Sequence, residues 1–336
     1  MAFTVRTCGL PSLRRVLSLI IPGKDVAAWV GDTLTSLVGQ LPQGELQVVV
    51  VDDGSTDATS EVVAGFADRL PGLVLHRNES PVGLASARNQ GLELATGSVL
   101  GFLDGDDWLA RGHLARAVAA LETLDVDFVR FDHVRVTEGR REQVRAPQAR
   151  RGVPLNPRES ILPTTDSTMV DYPYAWAGLY RRRLHEQGLL AFDDGLHTAE
   201  DRPWVWRLHL RTQSYAVVNT PGVMYRRGVT TSLTQVLDRR QLDFLTSYAS
   251  CFALLAEDPE QDRFLPKLVR QLLAVLAHQL GRSAQMARPL RRELRERAAA
   301  LLETVPGDLL EETVVQLGHQ RERLLTPVLR RRGRAA

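Results

Sequence analysis

The chain has 336 residues, of which 44% are hydrophobic and 24% charged, and its formal net charge is +2 at pH 7. These fractions are typical of globular proteins, and the length exceeds the roughly 100–200 residues of one ordinary domain. No stretch contains the roughly 18 uninterrupted apolar residues that a membrane-spanning helix needs, which argues against an integral membrane protein. The only cysteines, Cys8 and Cys251, match no metal-binding or redox spacing and predict a reducing compartment. We therefore expect a soluble, cytoplasmic protein.

The charge is unevenly distributed along the chain. Residues 261–336 contain fifteen Lys and Arg against eight Asp and Glu, so this region carries +7 and residues 1–260 carry −5. A basic C-terminal region indicates contact with a membrane surface or an anionic acceptor, or simply a solvated helix face. The acidic front half and the lack of a recognised binding motif argue against a nucleic-acid partner.

The first 130 residues predict alternating strands and helices. The apolar run at 16–21 follows basic residues but is too short for the core of a signal peptide, so it is interpreted as a buried strand. Further short apolar runs predict strands at 47–51, 73–75, 99–103 and 127–133, and helical periodicity predicts helices at 28–38, 58–67, 84–94 and 113–124. This order predicts a doubly wound, mainly parallel α/β sheet, whose ligands bind at the carboxyl ends of the strands.

The rest of the chain is less regular. Residues 137–165 combine charge with four prolines and predict an irregular connection. Residues 172–227 are rich in aromatic residues and arginine. From residue 236 onward, apolar residues at spacings of three and four predict several helices, including 268–280 and 290–303.

Two acidic motifs follow predicted strands. DDGSTD, at 52–57, offers carboxylates for a base or ribose, although Ser55, Thr56 or Asp57 can equally cap the next helix. DGDD, at 104–107, places three carboxylates within four residues. Such a group repels itself unless a cation or several donors compensate, and its hard oxygen ligands suit Mg²⁺ or Mn²⁺ bound together with a diphosphate. A plain acidic turn at a helix start is the alternative.

Several motifs, in order, resemble the nucleotide-binding half of family 2 inverting glycosyltransferases with the GT-A fold. These motifs are LSLIIPGKDVAAW, LQVVVVDDGSTDATSEVV, NESPVGLASARNQGLELATG and SVLGFLDGDDWL, and they cover about residues 16–110. A weaker match continues through YAWAGLYRR, LHTAEDRPWVWRL and YRRGVTTSLT to about residue 235. The resemblance implies a catalytic domain over 1–235, with a nucleotide-sugar-binding half (1–110) and an acceptor half (111–235), followed by a helical region over 236–336.

The resemblance also implies roles for individual residues. Pro22 and Asp53 match positions in the nucleotide pocket, and Asp53 would contact the base. Arg88 and Asn89 match a motif beside the nucleotide. Asp104 and Asp106 match the DxD motif, and Asp106 or Asp107 would bind a divalent metal, Mn²⁺ or Mg²⁺. In the later acidic pair, Asp201 would be the general base, with an ordinary acid at a helix start as the alternative, and Glu200 would be structural or acceptor-binding. Arg226 and Arg227 resemble basic residues near the diphosphate, although surface solvation also accounts for them.

One departure from the family concerns the base. Where the family usually has an aromatic residue after the proline, this chain has Gly23, Lys24 and Asp25. Loss of that ring removes the expected stacking partner, so a UDP-sugar is not assumed. Lys24 is either a phosphate contact or a solvated turn residue.

Aromatic residues and one histidine in the second half are further candidates. Trp176 is a candidate for stacking on an acceptor sugar. Trp204 and Trp206, two apart in a predicted helix, point in different directions, so at least one is expected in the core. His197 precedes the acidic pair and is either near the metal or acceptor or an ordinary turn histidine.

These patterns predict a hexosyl- or N-acetylhexosaminyl-transferase that uses a nucleotide-sugar donor. Its acceptor would be a glycan, a polyol phosphate or a lipid-linked hydroxyl, as in bacterial surface polysaccharide assembly. The helical region would self-associate, pack on the catalytic domain or contact a membrane peripherally. The alternatives are a sugar-nucleotide-binding or scaffolding protein without turnover, and a nucleotidyltransferase, for which the N-terminal region has no glycine- and arginine-rich phosphate loop.

Overall fold

The structure is a computed structural model and describes residues 4–6, 16–228 and 238–332. Cys8 and the part of the family-like segment at 229–235 lie outside these residues. One ten-stranded sheet crosses the first 228 residues. Its strands are β1 (Thr4–Arg6), β2 (Leu17–Gly23), β3 (Leu46–Asp52), β4 (Leu73–Arg77), β5 (Val99–Phe102), β6 (Trp108–Leu109), β7 (Phe128–Thr137), β8 (Arg140–Val144), β9 (Gly178–Arg181) and β10 (Tyr215–Arg227).

The first half of the sheet confirms the predicted β-α-β alternation. Strands β4, β3, β2 and β5 lie side by side in that order and are all parallel. They are joined by α1 (Ala27–Leu37), α2 (Thr59–Ala64) and α3 (Leu84–Leu94). The chain moves outward from β2 to β4 and then returns to the other side of β2 with β5. That reversal opens a crevice at the carboxyl ends of β2 and β5, where open α/β sheets bind ligands.

The second half of the sheet is mixed. Strand β9 pairs antiparallel with β5 and with β7, and β7 pairs parallel with β10. Helix α4 (His113–Leu124) matches its predicted bounds, and α5 (Arg182–Glu186) and α6 (Asp201–Arg211) complete this half. The predicted irregular connection at 137–165 is wrong at its start, because β7 turns at Gly139 into β8 and forms a hairpin. Regular hydrogen bonding between the two backbones outweighs the polar composition of β8.

Among the described residues, five α-helices follow the sheet, as the helical periodicity predicts. They are α7 (Asp243–Ala256), α8 (Gln261–Arg282), α9 (Arg288–Glu303), α10 (Gly307–Gln316) and α11 (His319–Leu329). None of the helices among the described residues is long and apolar enough to cross a membrane.

Helix α6 joins the helical region to the sheet. Trp204 and Trp206 are both fully buried, so the expectation that at least one belongs to the core is confirmed for both. The Trp206 indole donates to the side chain of Gln271 on α8 at 2.8 Å, and the Trp204 indole donates to the Leu190 carbonyl at 3.0 Å. The Trp204 ring also meets Phe102 of β5 edge-on at 6.3 Å, so α6 is held against both the sheet and the C-terminal helices.

Candidate active site

The DDGSTD segment begins at the end of β3 and closes one side of the crevice. Asp53 is 6% exposed, and its carboxylate accepts hydrogen bonds from the backbone amides of Val82 and Gly83 at 2.7 and 2.9 Å and from Asn78 at 2.9 Å. Asp53 thus fixes the loop that precedes α3. Asp52 accepts from the Ser55 amide and the Ser60 hydroxyl, which shapes the turn itself.

The same segment caps α1 as well as α2. Ser55 and Asp57, together with Thr59 at the start of α2, accept from the backbone amides of residues 25, 27 and 26 at 2.9–3.0 Å. Asp57 also accepts from the Thr59 amide at 3.0 Å, so this side chain bonds to the first residue of α1 and to the first residue of α2. Asp25, in a left-handed conformation with φ of 53°, accepts in return from Thr56. These bonds fix the backbone where the family usually carries its aromatic residue, and they leave Lys24 exposed.

Arg88 connects the two acidic motifs of the site. Its guanidinium donates to Asp104 at 3.0 Å and to Glu200 at 2.7 Å, and the residue is 4% exposed. Burial lowers the pKa of Arg88, but the carboxylates of Asp104 and Glu200 outweigh this effect and raise it. Charge-assisted bonds of this kind are among the strongest side-chain interactions. Arg88 therefore holds the end of β5 next to the start of α6.

The acid cluster follows β5 directly. Burial, then the nearby Asp104 carboxylate, raise the pKa of Asp106 to about 6. Asp107 is fully buried, and burial followed by the charges of Asp104 and Asp106 raise its pKa well above the ordinary range. One oxygen of Asp107 accepts from the Arg226 amide at 2.7 Å, and the other is buried without a hydrogen-bond partner. The cluster is thus short of positive charge.

Asp201 begins α6 on the far side of Arg88. It is partly buried, and desolvation, then the adjacent Glu200 carboxylate, raise its pKa to about 7. A carboxylate with such a pKa is a strong enough base to accept a proton near neutral pH. Glu200 is 7% exposed and pairs with Arg88 at 2.7 Å.

The end of β10 carries two arginines, of which one lies at the acid cluster. The Arg226 guanidinium donates to the Asp106 carbonyl at 2.8 Å and lies 4.6 Å from the centre of the Trp108 ring. Arg227 is exposed and donates to the Tyr225 hydroxyl at 2.9 Å. Arg226 therefore lies against the acid cluster, whereas Arg227 lies on the opposite face of the strand.

The burial of Trp176 does not fit its predicted stacking on an acceptor sugar. Its residue is 4% exposed, and its ring lies 4.8 Å from Tyr174 in a stacked arrangement and 5.2 Å from Tyr225. The residue therefore offers no open ring face to an acceptor in this conformation, because other rings already cover it. Tyr174 and Tyr225 are the partly exposed members of this aromatic cluster, and neither was singled out from the sequence.

Asn89 and His197 make their hydrogen bonds to residues outside the acid cluster. The Asn89 amide donates to the Phe192 carbonyl at 2.9 Å and accepts from the Phe192 amide at 2.8 Å, so it anchors a loop instead of facing the acid cluster. His197 is exposed, and its backbone amide donates to Asp243 at 2.8 Å. Its ring lies beside Gly83, in the loop that Asp53 holds. Pro22 is buried at the end of β2, next to Gly105.

The carboxylates fit a metal only in part. Across 16–228 and 238–332, no three His, Cys, Asp or Glu side chains converge as metal ligands. Ions such as Mg²⁺ often bind one or two carboxylates and take the remaining ligands from substrate phosphates and water. Asp106 is partly exposed and has a raised pKa, so it fits this arrangement. The adjacent Asp107 has one carboxylate oxygen without a hydrogen-bond partner.

Comparison with known proteins decides the family. The model of glycosyl transferase family 2 matches residues 18–189, which is half of the chain. The chain belongs to glycosyl transferase family 2. Within this family it is 28% identical over 231 residues to the uncharacterized glycosyltransferase EpsJ of Bacillus subtilis, covering 68% of this chain and 65% of EpsJ. It is 27% identical over 211 residues to the poly(ribitol-phosphate) beta-N-acetylglucosaminyltransferase TarS of Staphylococcus aureus, covering 62% of this chain but 35% of TarS.

Solved structures of two glycosyltransferases share the fold. The S. aureus TarS 1–349 structure in complex with UDP-GlcNAc matches with a TM-score of 0.74 at 20% identity and covers 95% of this chain and 92% of that one. A mannosyltransferase of Pyrobaculum calidifontis in complex with GDP-Man and Mn²⁺ matches with a TM-score of 0.55 at 21% identity, covering 96% of this chain and 88% of that chain. The predicted GT-A family fold is thus confirmed, including the C-terminal helices.

Proposed function

We propose that the chain is an inverting glycosyltransferase that moves a sugar from a nucleotide diphosphate donor to a hydroxyl group. One observation carries this proposal: Arg88 bridges Asp104 and Glu200, so that the acid cluster and the candidate base Asp201 flank one crevice. An inverting transfer needs this two-sided arrangement. The base must act on the face of the sugar opposite the leaving nucleotide.

The proposed roles follow from these positions. The acceptor oxygen attacks the anomeric carbon, the bond from that carbon to the diphosphate oxygen breaks, and the acceptor proton passes to Asp201. Nucleotide diphosphate leaves on the side of Asp106, where Arg226 contributes positive charge. A Mn²⁺ or Mg²⁺ ion bound there would neutralise charge on the departing diphosphate. Positioned general bases typically contribute about 10²–10⁴-fold to such rates.

The nucleotide would lie over the end of β3. Asp53 is proposed to contact the base, and the loop that it holds, 78–83, would form the wall of the pocket. TarS and the mannosyltransferase were solved with UDP-GlcNAc and GDP-Man, so both donors belong in the first screen. Asn89 is proposed to support the pocket through the loop at Phe192.

We propose an acceptor that carries negative charge, such as a polyol phosphate. Across the parallel pair of β7 and β10, Tyr225 lies opposite Arg135, and across the hairpin Thr137 lies opposite Arg140. Because opposite residues share a face and side chains alternate along a strand, Tyr225, Arg227, Arg135 and Arg140 project from one face. Glu142 lies on the same face and pairs with Arg135 at 3.2 Å. Arg227 and Arg140 are exposed. TarS, by its name, acts on poly(ribitol phosphate), which is an acceptor of this charge.

The proposal is tested by donor binding followed by turnover. UDP-GlcNAc, GDP-Man and the corresponding CDP- and dTDP-sugars are screened by thermal shift with and without Mn²⁺, since a ligand that binds the folded state raises its apparent stability. The stabilising donor is then incubated with poly(ribitol phosphate) and neutral glycans, and nucleotide diphosphate release is measured. A stabilising donor that is neither transferred nor slowly hydrolysed would instead indicate a sugar-nucleotide-binding protein.

A further inference from the structure

A short loop immediately before the acidic pair is held by the C-terminal helical region. The His197 amide donates to Asp243 at 2.8 Å, and the Thr198 hydroxyl donates to the Arg240 carbonyl at 2.7 Å. The hydroxyl of Ser247 on α7 donates to the Ala199 carbonyl at 2.7 Å. Each residue of the loop 197–199 is thus bonded to the segment 240–247.

The backbone of this loop needs such support. Ala199 has a φ of 60°, in the left-handed region, which is unfavourable for an L-residue with a side chain. Ser247 is fully buried and bonds to the carbonyl of this same residue. Such conformations persist where the surrounding structure holds them.

The loop determines where the acidic pair begins. Glu200 follows Ala199 directly and is held from the other side by Arg88. Asp201 is the next residue and the first of α6. The position of Asp201 is therefore fixed by Arg88 from the nucleotide half and by α7 from the C-terminal helices.

We propose that Ser247 and Asp243 are positioning residues, through which the C-terminal helical region sets the place of Asp201 in the active site. This inference rests on the proposed function, in which Asp201 accepts the acceptor proton. A base must lie within hydrogen-bond reach of that proton, and an error of about 1 Å in a catalytic geometry can cost about 10²-fold in rate. The donor contacts proposed above, at the ends of β3 and β5, include no residue of α7.

The test compares matched variants of the full chain. Ser247→Ala and Asp243→Ala each remove one hydrogen bond to the loop. Asp243→Asn keeps an acceptor oxygen, and Ser250→Ala makes the same serine change at a partly exposed position of α7. Release of UDP from UDP-GlcNAc and of GDP from GDP-mannose is measured with Mn²⁺ and water as acceptor, and folding is checked by thermal melting.

Ser247→Ala and Asp243→Ala are expected to lower kcat about tenfold while the donor KM stays within twofold. Asp243→Asn should recover most of the activity, and Ser250→Ala should match the parent. Hydrogen exchange at 197–202 should be faster in Asp243→Ala but not in Ser250→Ala. If folded Ser247→Ala and Asp243→Ala keep the kcat and the hydrogen-exchange rates of the parent, this inference is overturned while the proposed function is not. Absence of both transfer and hydrolysis by the parent chain across the donor and acceptor screen described above would instead contradict the proposed function.

Discussion

Arg88 and Glu200 form a buried ion pair of 2.7 Å between residues that are 112 positions apart in the sequence. The pair joins α3, in the nucleotide half, to the first turn of α6, in the acceptor half. Because Arg88 also reaches Asp104, removing it would separate the leaving-group side from the base side. This ion pair is therefore both a stability element and a geometric one.

Replacing Arg88 with Ala should destabilise the protein. The change leaves Glu200, which is 7% exposed, as a buried carboxylate without its partner. Breaking a buried pair in this way costs about 3–5 kcal/mol. Urea unfolding of Arg88→Ala should show this loss in the free energy of unfolding, whereas Arg111→Ala, at an exposed position, should lie within about 0.5 kcal/mol of the parent. Equal stability of the two variants would contradict the structural role of Arg88.

The transfer rate should depend on the ionisation of Asp201. Its pKa is raised to about 7, and only the deprotonated form can accept a proton, so kcat should rise between pH 6 and 8 with a midpoint near 7. The same shift affects stability. A carboxyl group whose pKa is raised on folding destabilises the folded state as pH rises from its unfolded value towards the folded one. Asp201→Asn should therefore gain stability relative to the parent at pH 8 but not at pH 3, measured by thermal melting.

Metal-dependent donor binding should require Asp106. Asp106→Ala is expected to abolish the increase in donor-induced thermal shift that Mn²⁺ gives, because no other partly exposed carboxylate without a side-chain partner lies in the 104–107 cluster. In the parent, the Mn²⁺-dependent shift should weaken below pH 6, as protons compete with the metal at this carboxyl. Undiminished Mn²⁺-dependent affinity in the variant would remove Asp106 from the metal site.

The acceptor surface can be tested with two neighbouring arginines. Arg140 lies on the face of the sheet that carries Tyr225, whereas the side chain of Arg141 projects from the opposite face of β8. Arg140→Glu should raise the KM for poly(ribitol phosphate) several-fold, because the new carboxylate repels the acceptor phosphates. Acceptor binding by this variant should weaken further at low salt, where this repulsion is less screened. Arg141→Glu carries the same charge change and should leave this KM within twofold. Equal effects would point to net charge alone, and no effect would contradict the proposed surface.

The sequence predicted the elements whose signal is local. The strands of the parallel half are short apolar runs, and the helices Leu84–Leu94 and His113–Leu124 match their predicted bounds. Helix α2 ends at Ala64, three residues earlier than predicted, where Gly65 begins a turn. Strand β8 was missed because its residues are mostly exposed and charged, so no apolar alternation marks it.

The site was predictable in its composition but less so in its contacts. Motif resemblance selected Arg88, Asp104 and Asp201, yet their mutual arrangement depends on pairing across more than a hundred residues. Trp176 is buried because β7, β10 and the segment before β9 bring other rings around it, which a linear sequence does not reveal. Ser247 has no sequence signal at all, since its importance comes from the carbonyl that it meets.

The central claim is that Asp201 is the general base of the transfer and that other residues bind the donor. The most direct test measures both the transfer rate and the donor affinity of the Asp201→Asn variant, in which Arg202 and Glu200 are unchanged. We predict that the dissociation constant for the donor with Mn²⁺ stays within about twofold of the parent while kcat falls by about 10²-fold or more, the usual contribution of a positioned base. Normal turnover by this variant would contradict the account.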